Sequence, residues 1–219
     1  MSADSDAVSA GQAVYDKRTL AIYDLLVLGL SNRWIWRCPT PVQLAHYDEN
    51  ISANHLDVGV GSGYFLDKCR FPVGAPRVAL MDLNRNSLEV SARRIARHKP
   101  RAYVRNALDP IPFEEEKFDS VGVNYLLHCL PGTMEQKSVA FDHLKALMNP
   151  GAVIFGATLL QGGVERSGAA KRLMAFYNRK RIFSNEGDSL TGLERALSAR
   201  FHSVTIRVHG CGALFSARA

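Results

Sequence analysis

The chain has 219 residues, a formal net charge of +6, 47% hydrophobic and 22% charged residues, which excludes disorder and suits a single α/β domain with one core. No apolar run reaches the ~18–20 residues that a membrane span requires. Cys38, Cys69, Cys129 and Cys211 lie far apart with no C-x-x-C pair, which argues against a zinc knuckle or disulfide scaffold and for a reducing, cytoplasmic setting.

In chain order, the opening Met1-Ser2-Ala3-Asp4-Ser5-Asp6 is polar and acidic, unlike a secretory signal or a basic transit peptide. Residues 12–30 read as a helix with Leu20, Tyr23, Leu26 and Leu30 at helical spacing. Ser31-Asn32 should break it, before a segment carrying Trp34 and Trp36, and a second helix is expected from Pro41 to about Glu49. Residues 1–50 thus read as a helical cap on one domain spanning 51–219. Strands are expected over 55–60, 77–82, 101–106, 120–124, 152–158, 203–208 and 211–217. Helices are expected over 63–70, 86–98, 134–148, 166–181 and 189–199, with Asn149-Pro150-Gly151 as a sharp helix stop. Alternating strands and helices argue an α/β, Rossmann-like three-layer sandwich with a mostly parallel sheet of seven strands. Only His209-Gly210 separates the last two strands, so these should close the sheet as an antiparallel hairpin.

Basic residues gather at Arg93, Arg94, Arg97, Lys99, Arg101 and Arg105, and again at Lys171, Arg172, Arg179, Lys180 and Arg181. Such clusters can bind phosphates. The first alternates with Ile95 and Ala96, which favours a solvated face of an amphipathic helix.

The strongest constellation is His55-Leu56-Asp57-Val58-Gly59-Val60-Gly61-Ser62-Gly63-Tyr64-Phe65. An apolar strand runs into three alternating glycines and then a helix, so the backbone can turn tightly and approach a ligand. Asp82 closes the next strand, where a carboxylate can accept both ribose hydroxyls. With Asp57 to anchor an ammonium and Asp82 on a sugar, the ligand has the shape of an amino-acid nucleoside, and S-adenosylmethionine fits it.

These residues resemble the class I S-adenosylmethionine-dependent methyltransferases of the type 11/12 kind, and the resemblance extends along nearly the whole chain. It implies S-adenosylmethionine as methyl donor, S-adenosylhomocysteine as product, and no metal. Met81-Asp82-Leu83-Asn84 resembles the family's second motif, in which the acid holds the ribose and Leu83 packs on adenine. Arg105-Asn106-Ala107-Leu108-Asp109 resembles the third, with Asn106 where the family commonly has Asp. An Asn can still both accept from and donate to adenine. Phe118 to His128 resembles the fourth, whose strand end at Asn124 faces the methionine part of the cofactor and the acceptor. Leu147-Met148-Asn149-Pro150-Gly151 resembles the family's approach to the fifth strand. The leading segment, with Tyr23-Asp24 and Trp36-Arg37, is similar to quinone-biosynthesis methyltransferases, where it closes over the cofactor; this implies Tyr15, Tyr23 and Trp36 near the methionine end. That group has an Arg-Asn pair where this chain reads Leu127-His128, so the resemblance does not extend to quinone C-methylation.

Methyl transfer needs positioning, exclusion of water and, for a hydroxyl acceptor, proton removal. His128 follows the fourth motif and has an ordinary pKa of about 6.5, so it is the candidate general base, against a structural role at the start of a helix. Tyr125 either contacts the acceptor or lines the pocket. Cys129 reads as a small buried apolar residue. Met174, Phe176, Tyr177, Phe183 and Asn185 form either a lid over the acceptor or core, and Trp34 and Trp36 carry the same ambiguity. The expected activity is transfer of a methyl group to an oxygen or nitrogen of a small aromatic or apolar metabolite. Two rivals stand beside it: a nucleic-acid methyltransferase using the arginine clusters, and a cofactor-binding regulatory subunit without turnover. The oligomeric state, a homodimer included, is left open.

Overall fold

The structure is a computed structural model that describes residues 24–219. Tyr15 and Tyr23 lie outside the described residues, as does the first part of the expected leading helix. Among the described residues, β1 (Asn54–Val58), β2 (Arg77–Asp82), β3 (Arg101–Val104), β4 (Phe118–Gly122), β5 (Met148–Leu159), β6 (His202–His209) and β7 (Gly212–Arg218) form one sheet. Their order is β3-β2-β1-β4-β5-β7-β6. The first five are mutually parallel, whereas β7 runs antiparallel to both β5 and β6. Gly210 closes the terminal hairpin at φ +58°, and a Cβ there would collide with the Trp36 carbonyl oxygen.

The helices are α1 (Thr40–Asn50), α2 (Tyr64–Lys68), α3 (Arg85–Arg94), α4 (Met134–Lys137), α5 (Val139–Lys145), α6 (Gly168–Arg179) and α7 (Leu190–Ser198). Polar side chains start α3, α6 and α7: Asn84 accepts from the amides of Asn86 and Ser87, Ser167 from Ala170, and Ser189 from Gly192. The strand period of two sorts the core into layers. On β2, Ala79 and Met81 join Leu56, Phe141, Ile154 and Phe215 on one face, while Val78 and Leu80 join Leu66, Leu88, Tyr47 and Phe155 on the other. Each fully buried aliphatic side chain stabilises the fold by about 1.5–3 kcal/mol.

Three local expectations are corrected. The leading segment does not break at Ser31-Asn32: a π-helix runs from Asp24 to Ile35. The buried Asn32 side chain donates to Thr40 Oγ1 (2.9 Å), so it ties the chain together where a turn was expected. The helix expected over 134–148 is two short helices, α4 and α5, meeting at Ser138, whose hydroxyl donates to the Glu135 carbonyl (2.7 Å). Asn149-Pro150-Gly151 lies inside β5 as a bulge, where Phe118 pairs with Met148 but Ser120 with Val153. Gly151 takes φ +78° there.

β1 has β2 on one side and β4 on the other, so the crossovers diverge and a crevice opens beyond their carboxyl ends. No helix among the described residues is long and apolar enough to cross a membrane.

Candidate functional site

That crevice is lined by Gly59, Gly61 and Ser62 after β1, Asp82 and Leu83 after β2, Asn106 and Ala107 after β3, and Asn124, Tyr125, Leu126, Cys129, Leu130 and Pro131 after β4. The glycine turn is built for it. Gly59 and Gly61 hold φ +72° and +52°. A Cβ on Gly59 would lie 2.8 Å from Leu126 Cδ1, whereas one on Gly61 would meet nothing within 4 Å and project into open space. Helix α2 has only five residues, and the turn's amides are used within the protein, Gly59 donating to the Met81 carbonyl (2.9 Å) and Gly63 to the Val60 carbonyl (2.9 Å).

Helix α3 holds the turn from behind. Ser91 Oγ donates to the Gly61 carbonyl (3.1 Å), and Arg94 Nη1 donates to the carbonyl (2.9 Å) and hydroxyl (3.0 Å) of Ser62. A Cβ on Gly63 would lie 3.0 Å from Ser91, so helix and turn are in close contact. With their carbonyls held by α3, the turn residues keep a fixed conformation toward the crevice.

Two carboxylates flank the turn. Asp82 is on the cleft wall, where its Oδ1 accepts from the Asn84 amide (2.8 Å). Burial pushes its pKa up to about 6 against the opposing pull of backbone amides, those of Asn84 and Gly61 foremost. Asp57 is buried behind the turn, its Oδ2 accepting from the Tyr47 hydroxyl at 2.5 Å. Burial raises its pKa to about 7, the charge of Asp82 adds to this, and the Tyr47 hydrogen bond opposes it.

Comparison with known proteins agrees with this geometry. The methyltransferase domain family matches residues 56–154. The chain is 40% identical over 207 residues to demethylluteothin O-methyltransferase of Streptomyces thioluteus, an alignment covering 94% of this chain and 90% of the relative. The chain belongs to the class I S-adenosylmethionine-dependent methyltransferases. It is also 38% identical over 209 residues to the physcion biosynthesis cluster O-methyltransferase of Aspergillus chevalieri, covering 94% of each. The fold matches that of the DhpI–SAH complex with TM-score 0.69 at 15% identity, covering 97% of this chain and 96% of the other.

The crevice of this methyltransferase suits its methyl donor, S-adenosylmethionine. The open space above Gly61 lets a ligand lie against the backbone, and the half-buried Asp82 carboxylate stands where ribose hydroxyls can donate to it. Leu83 and Ala107 present apolar surface to the crevice, and Asn124 stands at the far, β4 end. Asn106 is on the wall, but its Oδ1 accepts from the Leu108 amide (3.1 Å) and its Nδ2 donates to Asp109 (3.0 Å). Its side chain shapes the loop first and can offer a ligand its remaining N–H and the second lone pair of its oxygen.

Other expected site residues fall elsewhere. Trp36 is 2% exposed and packs with Leu159, Met174 and Phe183, away from the crevice. Asp57 and Gly63 act from behind the turn and do not line the cleft. His128 is 2% exposed and also absent from the wall. Its Nδ1 accepts from the Leu159 amide (3.3 Å), which places the neutral ring's proton on Nε2 and leaves no lone pair for a substrate proton. Burial lowers its pKa to about 3, and the Lys137 charge adds to this. The ring fills a gap between Tyr125 and Phe183, with centroids 5.3 and 4.6 Å away. This arrangement favours a structural role for His128, in which β5 supplies a donor that no local pattern announces.

The expected lid divides in the same way. Met174 and Asn185 are fully buried, Asn185 donating to the Leu159 carbonyl (2.9 Å), whereas Phe176 is exposed. In the first basic cluster, Arg94 is taken up by Ser62, Arg97 by Asp67 (2.7 Å) and Arg101 by Glu115 (2.5 Å). Sequence reasoning missed Ser91, Arg94 and Tyr47. The signal for the first two was present: Ser87, Ser91 and Arg94 recur at helical spacing on the face of α3 turned to the glycine turn.

Proposed function

We propose that the enzyme transfers a methyl group to a hydroxyl oxygen of a small aromatic, phenol-class metabolite. The observation that carries the reading is the β4 end of the crevice. There Tyr125, Leu126, Cys129, Leu130 and Pro131 make an apolar wall with no charged side chain. An aromatic ring is stabilised on such a surface, and a nucleic-acid backbone is not. The two O-methyltransferase relatives, alike over nearly the full chain, support the same acceptor atom.

S-adenosylmethionine supplies an electrophilic methyl group on a sulfonium, with a leaving group that is already activated. The protein's share is to bind and orient. In this reading Asp82 accepts from the ribose hydroxyls, Leu83 and Ala107 flank the adenine, and the glycine turn, its Gly61 and Ser62 carbonyls held by Ser91 and Arg94, lies against the methionine part. The described part of the leading segment, residues 24–50, caps the domain formed by 51–219. The buried Asp57 acts on that end through the turn. Neither His128 nor Tyr125 takes the acceptor's proton, since the ring nitrogen accepts from Leu159 and the Tyr125 hydroxyl donates to Asn32 (2.9 Å). The hydroxyl therefore reacts as its anion, which favours acidic phenols.

The test is methyl transfer to a series of simple phenols of graded acidity, followed by mass spectrometry and by rate against pH. The rate should rise through each phenol's own pKa. A rate that does not follow the phenol's own pKa, and that falls by more than about a hundredfold in a folded His128→Asn, would restore a histidine base, and methylation of anilines in preference to phenols would overturn the choice of oxygen.

A further inference from the structure

The methyl-transfer end of the crevice is hydrogen-bonded to the segment that precedes the sheet. Tyr125 follows β4 with φ +58°, a left-handed conformation that bulky side chains rarely adopt, and its amide donates to the Ala157 carbonyl (2.7 Å). The residue lines the crevice, and its ring packs edge-on against His128 (5.3 Å between centroids). Its hydroxyl donates to Asn32 Oδ1 (2.9 Å), from the π-helix, and accepts from Gln43 Nε2 (2.8 Å), from α1. Both partners are buried, at 0% and 1% exposure. They are tied in turn to the same segment, Asn32 Nδ2 donating to Thr40 Oγ1 (2.9 Å) and Gln43 Nε2 to the Cys38 carbonyl (3.0 Å). The neighbouring Asn124 Nδ2 donates to Gln43 Oε1 (3.5 Å), so two successive residues of the wall bond to the leading segment.

We propose that Tyr125 is a positioning residue that fastens the segment 24–50 to the β4 end of the crevice and thereby sets the acceptor subsite. The proposal rests on the reading above that the methyl group moves at this end. A hydroxyl whose proton is committed to Asn32 performs no chemistry on the acceptor. Apolar packing alone would have been served by phenylalanine. A part-buried network spanning 82 and 93 residues of sequence instead fixes one orientation of the segment against the strand end. Tyr125 thus lines the crevice while its hydroxyl bonds to the leading segment behind it.

Tyr125→Phe removes the hydroxyl and keeps the ring. The chain has only 2 tryptophans, Trp34 and Trp36, both in or beside this segment, so intrinsic tryptophan fluorescence reports on it selectively. Tyr125→Phe should raise acrylamide quenching about twofold or more, Asn32→Ala should do the same, and the double variant should add nothing further. Binding of S-adenosylhomocysteine by calorimetry should stay within about threefold. On whichever phenol the wild type methylates, kcat should fall about tenfold with KM for S-adenosylmethionine nearly constant. Unchanged quenching, unchanged kcat or a tenfold loss of S-adenosylhomocysteine affinity would each overturn the proposal. So would a pH–rate profile that loses an ionisation in Tyr125→Phe, which would make the hydroxyl a catalytic group. If Tyr125→Phe fails to fold, Gln43→Ala breaks the other bond and gives the same readings. If the wild type methylates no phenol, the functional reading fails, and quenching with calorimetry still decides whether the network fastens the segment.

Discussion

Asp57 makes the unliganded enzyme's stability depend on pH, and the size of the effect follows from its surroundings. The carboxyl is buried behind the glycine turn with the Tyr47 hydroxyl as partner (2.5 Å), and its pKa is raised from 3.8 to about 7. A carboxyl whose pKa is raised in the folded state holds its proton more tightly there than in the unfolded chain. Its contribution is therefore complete below the unfolded value and is lost as pH rises through the folded one. At about 1.4 kcal/mol per pKa unit, the penalty grows from about pH 4 to a ceiling of ~4 kcal/mol above pH 7, of which ~3 kcal/mol falls between pH 5 and 8. Asp57→Asn keeps an oxygen acceptor for Tyr47 and abolishes the titration. Urea unfolding of both proteins without ligand, at pH 5 and pH 8, should show the variant gaining ~3 kcal/mol on the wild type over that interval. A difference between the two proteins that is the same at both pH values would refute the reasoning.

Asp82→Ala should weaken S-adenosylhomocysteine by about 2–3 kcal/mol, because two ribose hydrogen bonds to a charged acceptor are lost; calorimetry at pH 8, where the carboxyl is ionised, checks this. His128→Asn should lower the melting temperature yet keep kcat within about tenfold in the folded fraction, whereas a general base would cost about 10²–10⁴. Lys137 and Asp188 form a fully buried pair at 3.0 Å, with the Lys137 ammonium also donating to the Ser184 carbonyl (2.6 Å). Lys137→Met alone should cost about 3–5 kcal/mol by stranding Asp188, and adding Asp188→Leu should recover much of that loss, as denaturant midpoints would show.

Much of this protein is legible along the chain because the deciding interactions are local. Glycines at positive φ between an apolar strand and a helix, and an acid at the end of the next strand, mark the cofactor crevice. Alternating apolar runs mark the seven strands, and the two-residue link before Cys211 forces the antiparallel hairpin. Helix boundaries and bulges were less legible, since Asn32 and Asn149-Pro150-Gly151 resemble breaks until partners from elsewhere in the fold occupy them. The chemistry of the acceptor end was decided by tertiary structure. Whether His128 is a base depends on the Leu159 amide that β5 brings to its Nδ1, 31 residues away in sequence. Whether Tyr125 touches substrate chemistry depends on Asn32 and Gln43, delivered by two helices far upstream. Trp36 enters the core because the β6–β7 hairpin closes over its carbonyl. A side chain's type states which hydrogen bonds it can make; only the folded chain decides which of them are already taken.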